Sequence, residues 1–121
     1  MEKLIIVDNN IKYEVYPYDL GYGNGTVEGL MTWYYAMESC KILNSRKDFH
    51  KLGDGWMLPT KEELDLMYRK KEYLGILPLH GYWSCDEYDA YSAYYQYFFT
   101  GVQYVFEKRM PSFARPIRKL Q

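Results

Sequence analysis

The 121-residue sequence is poor in the side chains from which catalytic and metal sites are usually built. It has two histidines and two cysteines, and its 15 basic residues are nearly balanced by 16 acidic ones. His50 and His80 have no nucleophile or carboxylate at a recognised spacing, and no metal-ligand pattern is present. A net charge of −1 does not supply the positive surface of a dedicated nucleic-acid binder. We therefore expect a protein that is not an enzyme, with no cofactor, no metal and no nucleic-acid partner. Paired carboxylates for glycoside hydrolysis stay open, because their geometry is spatial.

Long apolar runs are also missing. Leu4–Val7 gives four apolar residues before Asp8, whereas a signal peptide needs about 7–15 and a transmembrane helix about 18. We expect a protein that is neither exported by this sequence nor inserted in a membrane. Its location is otherwise unknown.

Cys40 and Cys85 are far apart and lack the paired spacing of a zinc site. Two alternatives remain for them: one disulfide in an oxidising setting, or two free buried thiols. The absence of a leader favours free thiols.

Tyrosine, in contrast, is abundant. The chain has 15 tyrosines, and aromatic residues make up 19% of it. Such side chains bury enough apolar area to offset the entropy lost on ordering, so the composition predicts a folded protein. Because there is no repeat, linker or low-complexity tract, we expect a single domain over residues 1–121.

The N-terminal residues predict an antiparallel hairpin. Asp8-Asn9-Asn10 favours a turn between the runs Leu4–Val7 and Ile11–Tyr16. The second run alternates between two faces: Ile11, Tyr13 and Val15 against Lys12, Glu14 and Tyr16. This pattern predicts a hairpin with one buried face.

Two helices are predicted in the middle of the chain. After Thr32, a plausible N-cap, apolar residues recur at helical spacing: Trp33, Ala36, Met37, Cys40 and Leu43. Thr60 and Glu63 have the spacing of a capping box, and Leu64 and Met67 continue one face of a second helix.

The remaining residues predict strands. Residues 81–84 form a short aromatic run bounded by glycine, and residues 93–100 are apolar on both faces, which is typical of a strand buried on two sides. Residues 102–106 follow Gly101 as a hairpin partner, and a last short strand is predicted over residues 113–118. Strands, two helices and strands again predict one α+β domain.

Several of these landmarks, taken in order, resemble a known family. They are GWMLPTKEEL at 55–64, YWS at 82–84 and RPIR at 115–118, preceded by a helix with Trp33 and Cys40. Over roughly residues 30–120 the sequence is similar to the bacterial domain at the C-terminus of the Legionella collagen-like adhesin. The resemblance implies a C-type-lectin-like fold, in which two helices flank a twisted antiparallel core and the N- and C-terminal strands are adjacent. Members of the family are displayed on bacterial surfaces or pili and bind glycans, and similar domains occur on phage particles.

The candidate recognition surface is the acidic, tyrosine-rich segment after Trp83. It combines three carboxylates, which hydrogen-bond sugar hydroxyls, with three rings that stack on the apolar faces of pyranoses. Its members are Asp86, Glu87, Tyr88, Asp89, Tyr91 and Tyr94. The alternative is a solvated acidic turn with scattered tyrosines. Trp56, Trp83 and Leu58 lie in the family motifs and are interpreted as core residues, with sugar stacking by a tryptophan as the alternative.

The basic residues are concentrated at the end of the chain. No lysine or arginine lies between Glu72 and Glu107, whereas the segment from residue 108 onward has no acid and five basic residues: Lys108, Arg109, Arg115, Arg118 and Lys119. This split suggests either an anionic partner or structural pairing of the last strand with acids near the first strand. We favour the structural interpretation, because so few basic residues make a small electrostatic footprint.

Two functions from different classes follow. The first is a non-enzymatic recognition module for a glycan or host-surface polymer. The alternative is a small structural virion subunit whose aromatic surfaces contact virion proteins or further copies of itself, since tyrosine is enriched at interface cores. The missing leader favours a virion or cytoplasmic protein over a secreted one.

Overall fold

The computed structural model describes residues 3–20, 29–45, 53–76 and 79–120. Within these ranges, three helices and six strands occur as two strands, three helices and four strands: β1 (Leu4–Asp8), β2 (Ile11–Val15), α1 (Trp33–Ser45), α2 (Lys61–Arg69), α3 (Lys71–Leu74), β3 (Gly81–Glu87), β4 (Ser92–Tyr97), β5 (Gln103–Glu107) and β6 (Ile117–Leu120). The strands form two antiparallel three-stranded sheets, with orders β1-β2-β6 and β3-β4-β5. The predicted α+β class is confirmed.

The predicted N-terminal hairpin is present, but its burial differs from the prediction. Asn9 and Asn10 have φ values of 49° and 67°, which asparagine tolerates and a two-residue hairpin turn requires. Tyr13 and Val15 are buried as predicted, but so are Glu14 and Tyr16 from the opposite face, while Ile11 is exposed. The one-face prediction is therefore wrong for β2.

The reason lies in the position of β2 within its sheet. β2 is the central strand, and β6 pairs with its outer side so that Glu14 lies opposite Arg118 and Val15 opposite Ile117. The Tyr16 ring, just beyond the strand, meets the Trp56 ring edge-on at 5.1 Å. The C-terminal strand thus joins the N-terminal hairpin, although its direct neighbour is β2 and not β1.

Helix α1 begins as predicted. Thr32 Oγ1 accepts a hydrogen bond from the Tyr35 N–H at 3.2 Å, which satisfies one of the free donors of the first turn. Four residues of the predicted apolar face are buried: Trp33, Ala36, Cys40 and Leu43. Near the end of the helix, Asn44 exchanges two hydrogen bonds of 2.9 Å with the backbone of Trp56. This amide therefore attaches α1 to the aromatic motif that precedes α2.

The capping box of α2 is confirmed in both halves. The Glu63 N–H donates to Thr60 Oγ1 at 3.1 Å, and the Thr60 N–H donates to Glu63 Oε1 at 2.9 Å. Leu64 and Met67 are buried, as the periodicity predicts. Helix α3 adds one further turn and ends at Gly75, whose φ of 69° is the left-handed conformation of a helix terminus.

The second sheet departs from the prediction in two ways. β3 extends to Glu87 instead of ending at Ser84, with an irregularity between Trp83 and Glu87. β4 ends at Tyr97, and within it only Ala93 and Gln96 are buried. The expectation of a strand buried on both faces is wrong, because four of the six residues of β4 stay partly accessible to solvent and the neighbouring β5 is largely exposed.

The large apolar residues of the GWMLPT and YWS segments lie in the core. Trp56, Trp83 and Leu58 are all buried, which confirms their interpretation as core residues. The Trp83 indole N–H donates to the Met31 carbonyl at 2.9 Å, so this ring is oriented as well as buried. Neither tryptophan is available to stack on a sugar at the surface.

Candidate functional site

The predicted recognition residues lie on and around the connection between β3 and β4. Because β3 is longer than predicted, Asp86 and Glu87 belong to that strand, and Tyr94 belongs to β4. Residues 88–91 form the turn itself, closed by hydrogen bonds from the N–H groups of Tyr88 and Asp89 to the Ser92 carbonyl at 2.9 and 3.2 Å. The six residues thus share one end of the second sheet.

The three carboxylates of this group all contact other parts of the protein. Asp86 Oδ2 accepts from the Lys61 N–H in the first turn of α2 at 2.7 Å, where negative charge is favourable. Glu87 Oε2 accepts from Lys108 Nζ at 2.6 Å. Asp89 Oδ1 accepts from the Tyr91 N–H at 2.9 Å, an arrangement typical of turns. Their first role is therefore to shape the turn and to dock it on α2 and Lys108.

The three tyrosines differ in exposure and surroundings. Tyr91 is 78% exposed and Tyr88 is 59% exposed, whereas Tyr94 is half-buried. The rings of Tyr88 and Tyr94 meet edge-on at 5.8 Å, and Lys61 Nζ lies 4.1 Å from the centre of the Tyr94 ring. Tyr91 is the most exposed ring of the group.

An open cleft of about 400 Å³ lies beside Tyr91. Five described residues line it, contributed by the start of α1, the β3–β4 turn, the start of β4 and the segment at the end of β5: Tyr34, Tyr91, Ser92, Glu107 and Arg109. Of the six predicted residues, Tyr91 is among these five. Asp86, Glu87, Tyr88, Asp89 and Tyr94 lie in the surrounding structure.

Lys108 connects the two walls of this cleft, and we call its contacts with the β3–β4 turn and with α1 the frame of the cleft. Its backbone N–H donates to the Tyr91 carbonyl at 2.8 Å, and its carbonyl accepts from the Trp33 N–H at 2.9 Å. Its side chain is only 3% exposed. Besides Glu87, Nζ donates to the Ala90 carbonyl at 3.1 Å and lies 4.5 Å from the centre of the Trp33 ring. One buried lysine therefore connects the β3–β4 turn to the first turn of α1, and so connects the cleft wall that bears Tyr91 to the wall that bears Tyr34.

The polar part of the cleft is an exposed ion pair. Arg109 Nε donates to Glu107 Oε2 at 2.7 Å, and both side chains are more than half exposed. The hydrogen bond to Glu107 and the opposite charge of its carboxylate raise the pKa of Arg109. The cleft thus combines two aromatic rings, a hydroxyl, a carboxylate acceptor and a guanidinium donor around one open space.

Two further basic residues of the C-terminal segment, Arg115 and Arg118, pair with acids inside the protein. Arg118 Nη2 donates to Glu14 Oε1 at 2.7 Å, and Arg115 Nε donates to Asp19 Oδ1 at 2.9 Å. The two acceptor side chains are 3% and 6% exposed. The predicted structural pairing of the last strand with acids near the first strand is confirmed.

Asp19 is the centre of a polar cluster that the sequence did not reveal. Besides Arg115, the Tyr82 hydroxyl lies 2.9 Å from both of its carboxylate oxygens, and His80 Nδ1 lies 3.3 Å from Oδ2. The His80 ring stacks on Phe113 at 3.8 Å. These contacts hold His80 between an aromatic ring and a carboxylate. His50 lies outside the described residues.

The two cysteines are free thiols: Cys40 is buried in the core cluster that contains Trp33 and Trp83, and Cys85 is partly buried against it. Burial raises the pKa of Cys40 to about 12 and that of Cys85 to about 11, so both thiols are protonated at neutral pH. Within residues 3–20, 29–45, 53–76 and 79–120, no group of three or more histidine, cysteine or acidic side chains is placed to hold a metal ion.

The sequence did not reveal most of the cleft. Tyr34 follows a core tryptophan on α1, while Glu107 and Arg109 are separated from Tyr91 by a whole hairpin. The sequence did contain a cluster of tyrosines and acids after Trp83. This cluster identified the cleft wall that bears Tyr91. The register of β4 on β5 places Ser92 opposite Glu107, and the hydrogen bond between Trp33 and Lys108 brings the start of α1 to the same end of the sheet; neither is visible in the sequence.

No family model matches the chain, and a search of curated proteins found no match. In the part of the chain that the structure describes, no helix is long and apolar enough to cross a membrane.

Proposed function

We propose that this protein is a non-enzymatic recognition module that binds a glycan or a cell-surface polymer in the cleft between Tyr34 and Tyr91. The observation that carries the proposal is the lining of the cleft: two exposed tyrosines beside an ion pair and a hydroxyl, held on a frame made by Lys108. Sugars present apolar ring faces and vicinal hydroxyls, and this lining has a chemical partner for each.

The contacts of Lys108, Asp89 and Thr32 that fix the two cleft walls also favour ligand binding. A ligand site loses affinity when side chains and loops must be ordered on binding, and that cost falls when the site is already formed. The turn that carries Tyr91 is fixed by Asp89 and by Lys108, and the α1 end that carries Tyr34 is fixed by Thr32 and by Lys108. Two exposed rings are thus presented on a backbone with little freedom to rearrange.

The fold that we propose for this module is C-type-lectin-like. It is supported by the C-terminal strand that joins the N-terminal hairpin, by α1 and α2, and by a second antiparallel sheet whose β3–β4 end bears the cleft. The sequence motifs that suggested the resemblance lie next to or within regular elements: GWMLPT leads into α2, YWS lies near the start of β3, and RPIR leads into β6.

A glycan array followed by whole-cell binding tests the proposal. Purified protein is expected to bind a subset of glycans and to label cells that display them. Blank results on a broad array and on a panel of bacterial surfaces would sink the proposal.

A second candidate function is a structural subunit of a larger particle, such as a virion, in which aromatic surfaces contact other proteins. It is favoured by the exposed apolar residues at the far edge of the second sheet: Phe99, Val102, Tyr104 and Val105. Exposed apolar clusters on a sheet edge mark interaction surfaces. A large, stable assembly in solution with no glycan binding would favour this function over the first.

A further inference from the structure

Strand β5 is an edge strand with an unusual surface. It is paired with β4 on one side, and among the described residues no strand pairs with its other side. Four of its five residues are exposed, and Val105, at its centre, is 43% exposed. Apart from Glu107 at its end, the strand carries no charge.

The hydrogen-bond pattern with β4 defines which backbone groups face outward. The Tyr97 N–H donates to the Val102 carbonyl, and the Lys108 N–H donates to the Tyr91 carbonyl. In an antiparallel pair, hydrogen-bonded and non-hydrogen-bonded residues alternate, so Tyr104 and Phe106 also direct their backbone groups toward β4. The backbone groups of Gln103, Val105 and Glu107 therefore face away from the sheet. The Glu107 carbonyl accepts from the Met110 N–H at 3.0 Å, which leaves its N–H as the outward group.

Proteins usually protect such edges with lysine, proline, bulges or short strands. The edge strand β6 of the other sheet carries Arg118 and Lys119 and follows Pro116. β5 has no lysine or proline between Gln103 and Phe106, and its pairing with β4 is regular, without a bulge. An unprotected edge of this kind is a template for another strand.

We propose that β5 pairs with β5 of a second copy of this chain, antiparallel about a two-fold axis at Val105. The inference rests on the edge of the sheet alone and holds whether or not the cleft binds a glycan. The two sheets would join into one continuous six-stranded sheet.

A two-fold axis at Val105 pairs the outward-facing backbone N–H and carbonyl groups of one β5 strand with those of the other. The two Val105 residues exchange N–H and carbonyl hydrogen bonds, and each Glu107 N–H meets the carbonyl of the partner's Gln103. The neighbouring positions place Tyr104 opposite the partner's Phe106, an aromatic cross-strand pair of the kind that stabilises sheets. The strand is thus complementary to itself in hydrogen bonding and in side chains.

The charge of β5 is compatible with pairing to a second copy of the same strand. Glu107 is the only charged residue of the strand, and the two-fold places it opposite neutral Gln103. The two Glu107 residues are then about 14 Å apart along the strands, from a rise of about 3.4 Å per residue, so their repulsion is screened. An interface of one short strand per copy is small, and we expect a weak dimer whose population depends on concentration.

Sedimentation equilibrium over a wide concentration range tests the pairing. The mass is expected to rise from 14.6 kDa toward twice that value. Val105→Lys places two cations face to face at the axis and is expected to keep the protein monomeric. Val7→Lys is the matched control, because Val7 is an exposed valine on β1, an edge strand of the other sheet, and is 51% exposed. This variant is expected to dimerise like the parent.

Amide hydrogen exchange of the unmodified protein gives a second, independent test. On raising the concentration, exchange of the Val105 and Glu107 N–H groups is expected to slow, while Tyr104 and Phe106, which bond to β4, stay protected throughout. A monomer at all concentrations, or a dimer that Val7→Lys abolishes and Val105→Lys does not, would overturn the proposal. Slowed exchange elsewhere without slowing at Val105, or capture of a different protein by a β5 edge that never self-associates, would overturn it as well.

Discussion

The two sheets treat charge in opposite ways. In the first sheet, Glu14 and Arg118 lie opposite each other on adjacent strands, and both are largely buried. At the cleft end of the second sheet, Glu107 and Arg109 form a pair of similar length that is exposed to solvent. A glutamate–arginine pair thus links β2 to β6 inside the first sheet, whereas a second such pair lines the cleft at the end of the second sheet.

The difference shows how burial decides what an ion pair does. A buried pair has lost its hydration, so each partner depends on the other and on further hydrogen bonds, such as the one of 2.6 Å from Arg118 Nη1 to the Asp54 carbonyl. An exposed pair keeps its hydration and adds little to stability, so its groups remain available to a ligand. Lys108 is the exception at the cleft end, because it is buried and connects the β3–β4 turn to the start of α1.

The largest effect is expected from Arg118→Ala. The change leaves the Glu14 carboxylate buried without its partner and removes the guanidinium that lies 4.4 Å from the centre of the Trp56 ring. We expect a loss of about 3–5 kcal/mol in the free energy of unfolding, measured by chemical denaturation. Lys119→Ala is the control on the same strand, since Lys119 is exposed, and it is expected to change stability by less than about 0.5 kcal/mol. Equal effects of the two variants would contradict the contrast between the sheets.

Lys108→Met is expected to have an intermediate effect. Methionine keeps the apolar part of the side chain but leaves the Ala90 carbonyl without its donor and frees Glu87, which is 57% exposed and can be hydrated. We expect a loss of about 2 kcal/mol in stability. Because the turn loses the side-chain hydrogen bonds that Lys108 Nζ makes to Glu87 and to the Ala90 carbonyl, amide exchange at residues 88–91 is expected to accelerate. Lys41→Met serves as the control, because Lys41 is an exposed lysine of α1. An equal loss of stability from Lys41→Met would show that the buried contacts of Lys108 do not stabilise this part of the protein.

The buried thiol of Cys40 predicts an alkaline dependence of stability. The pKa of Cys40 is raised in the folded protein, so the unfolded chain releases this proton first and stability falls once the pH exceeds the ordinary thiol value of 9.0. The contribution is fully present below that value and is lost progressively up to about pH 12. At about pH 10, the parent is expected to have lost about 1.4 kcal/mol more than Cys40→Ala, relative to their stabilities at neutral pH. Parallel pH profiles for the two proteins would contradict this.

Local sequence signals predicted the parts of the fold that neighbouring residues determine. The capping box at Thr60 and Glu63, the Asn9-Asn10 turn and the apolar face of α1 depend on spacings of a few residues, and all three are present. The burial of Glu14 was not predictable in this way, because it depends on an arginine more than one hundred positions further along the chain.

The cleft shows the same limit. Tyr91 was included in the predicted surface because tyrosines and acids cluster around it in the sequence. Tyr34, Glu107 and Arg109 reach it only through the pairing of β4 with β5 and the docking of α1 on Lys108. Lys108 itself is misleading as a sequence signal, since lysine is seldom fully buried unless it is paired.

We propose that the cleft between Tyr34 and Tyr91 binds a glycan, and titration of the Tyr91→Ala variant tests this proposal. Tyr91 is 78% exposed, so its removal is expected to change the free energy of unfolding by less than about 0.5 kcal/mol. Tyr73→Ala is the matched control, because Tyr73 is a similarly exposed tyrosine on α3, outside the cleft lining. Calorimetric titration uses the oligosaccharide that binds the parent best on the array. We expect Tyr91→Ala to weaken binding at least about tenfold, and Tyr73→Ala to leave it unchanged. Unchanged binding by Tyr91→Ala, or an equal loss from both variants, would contradict the account.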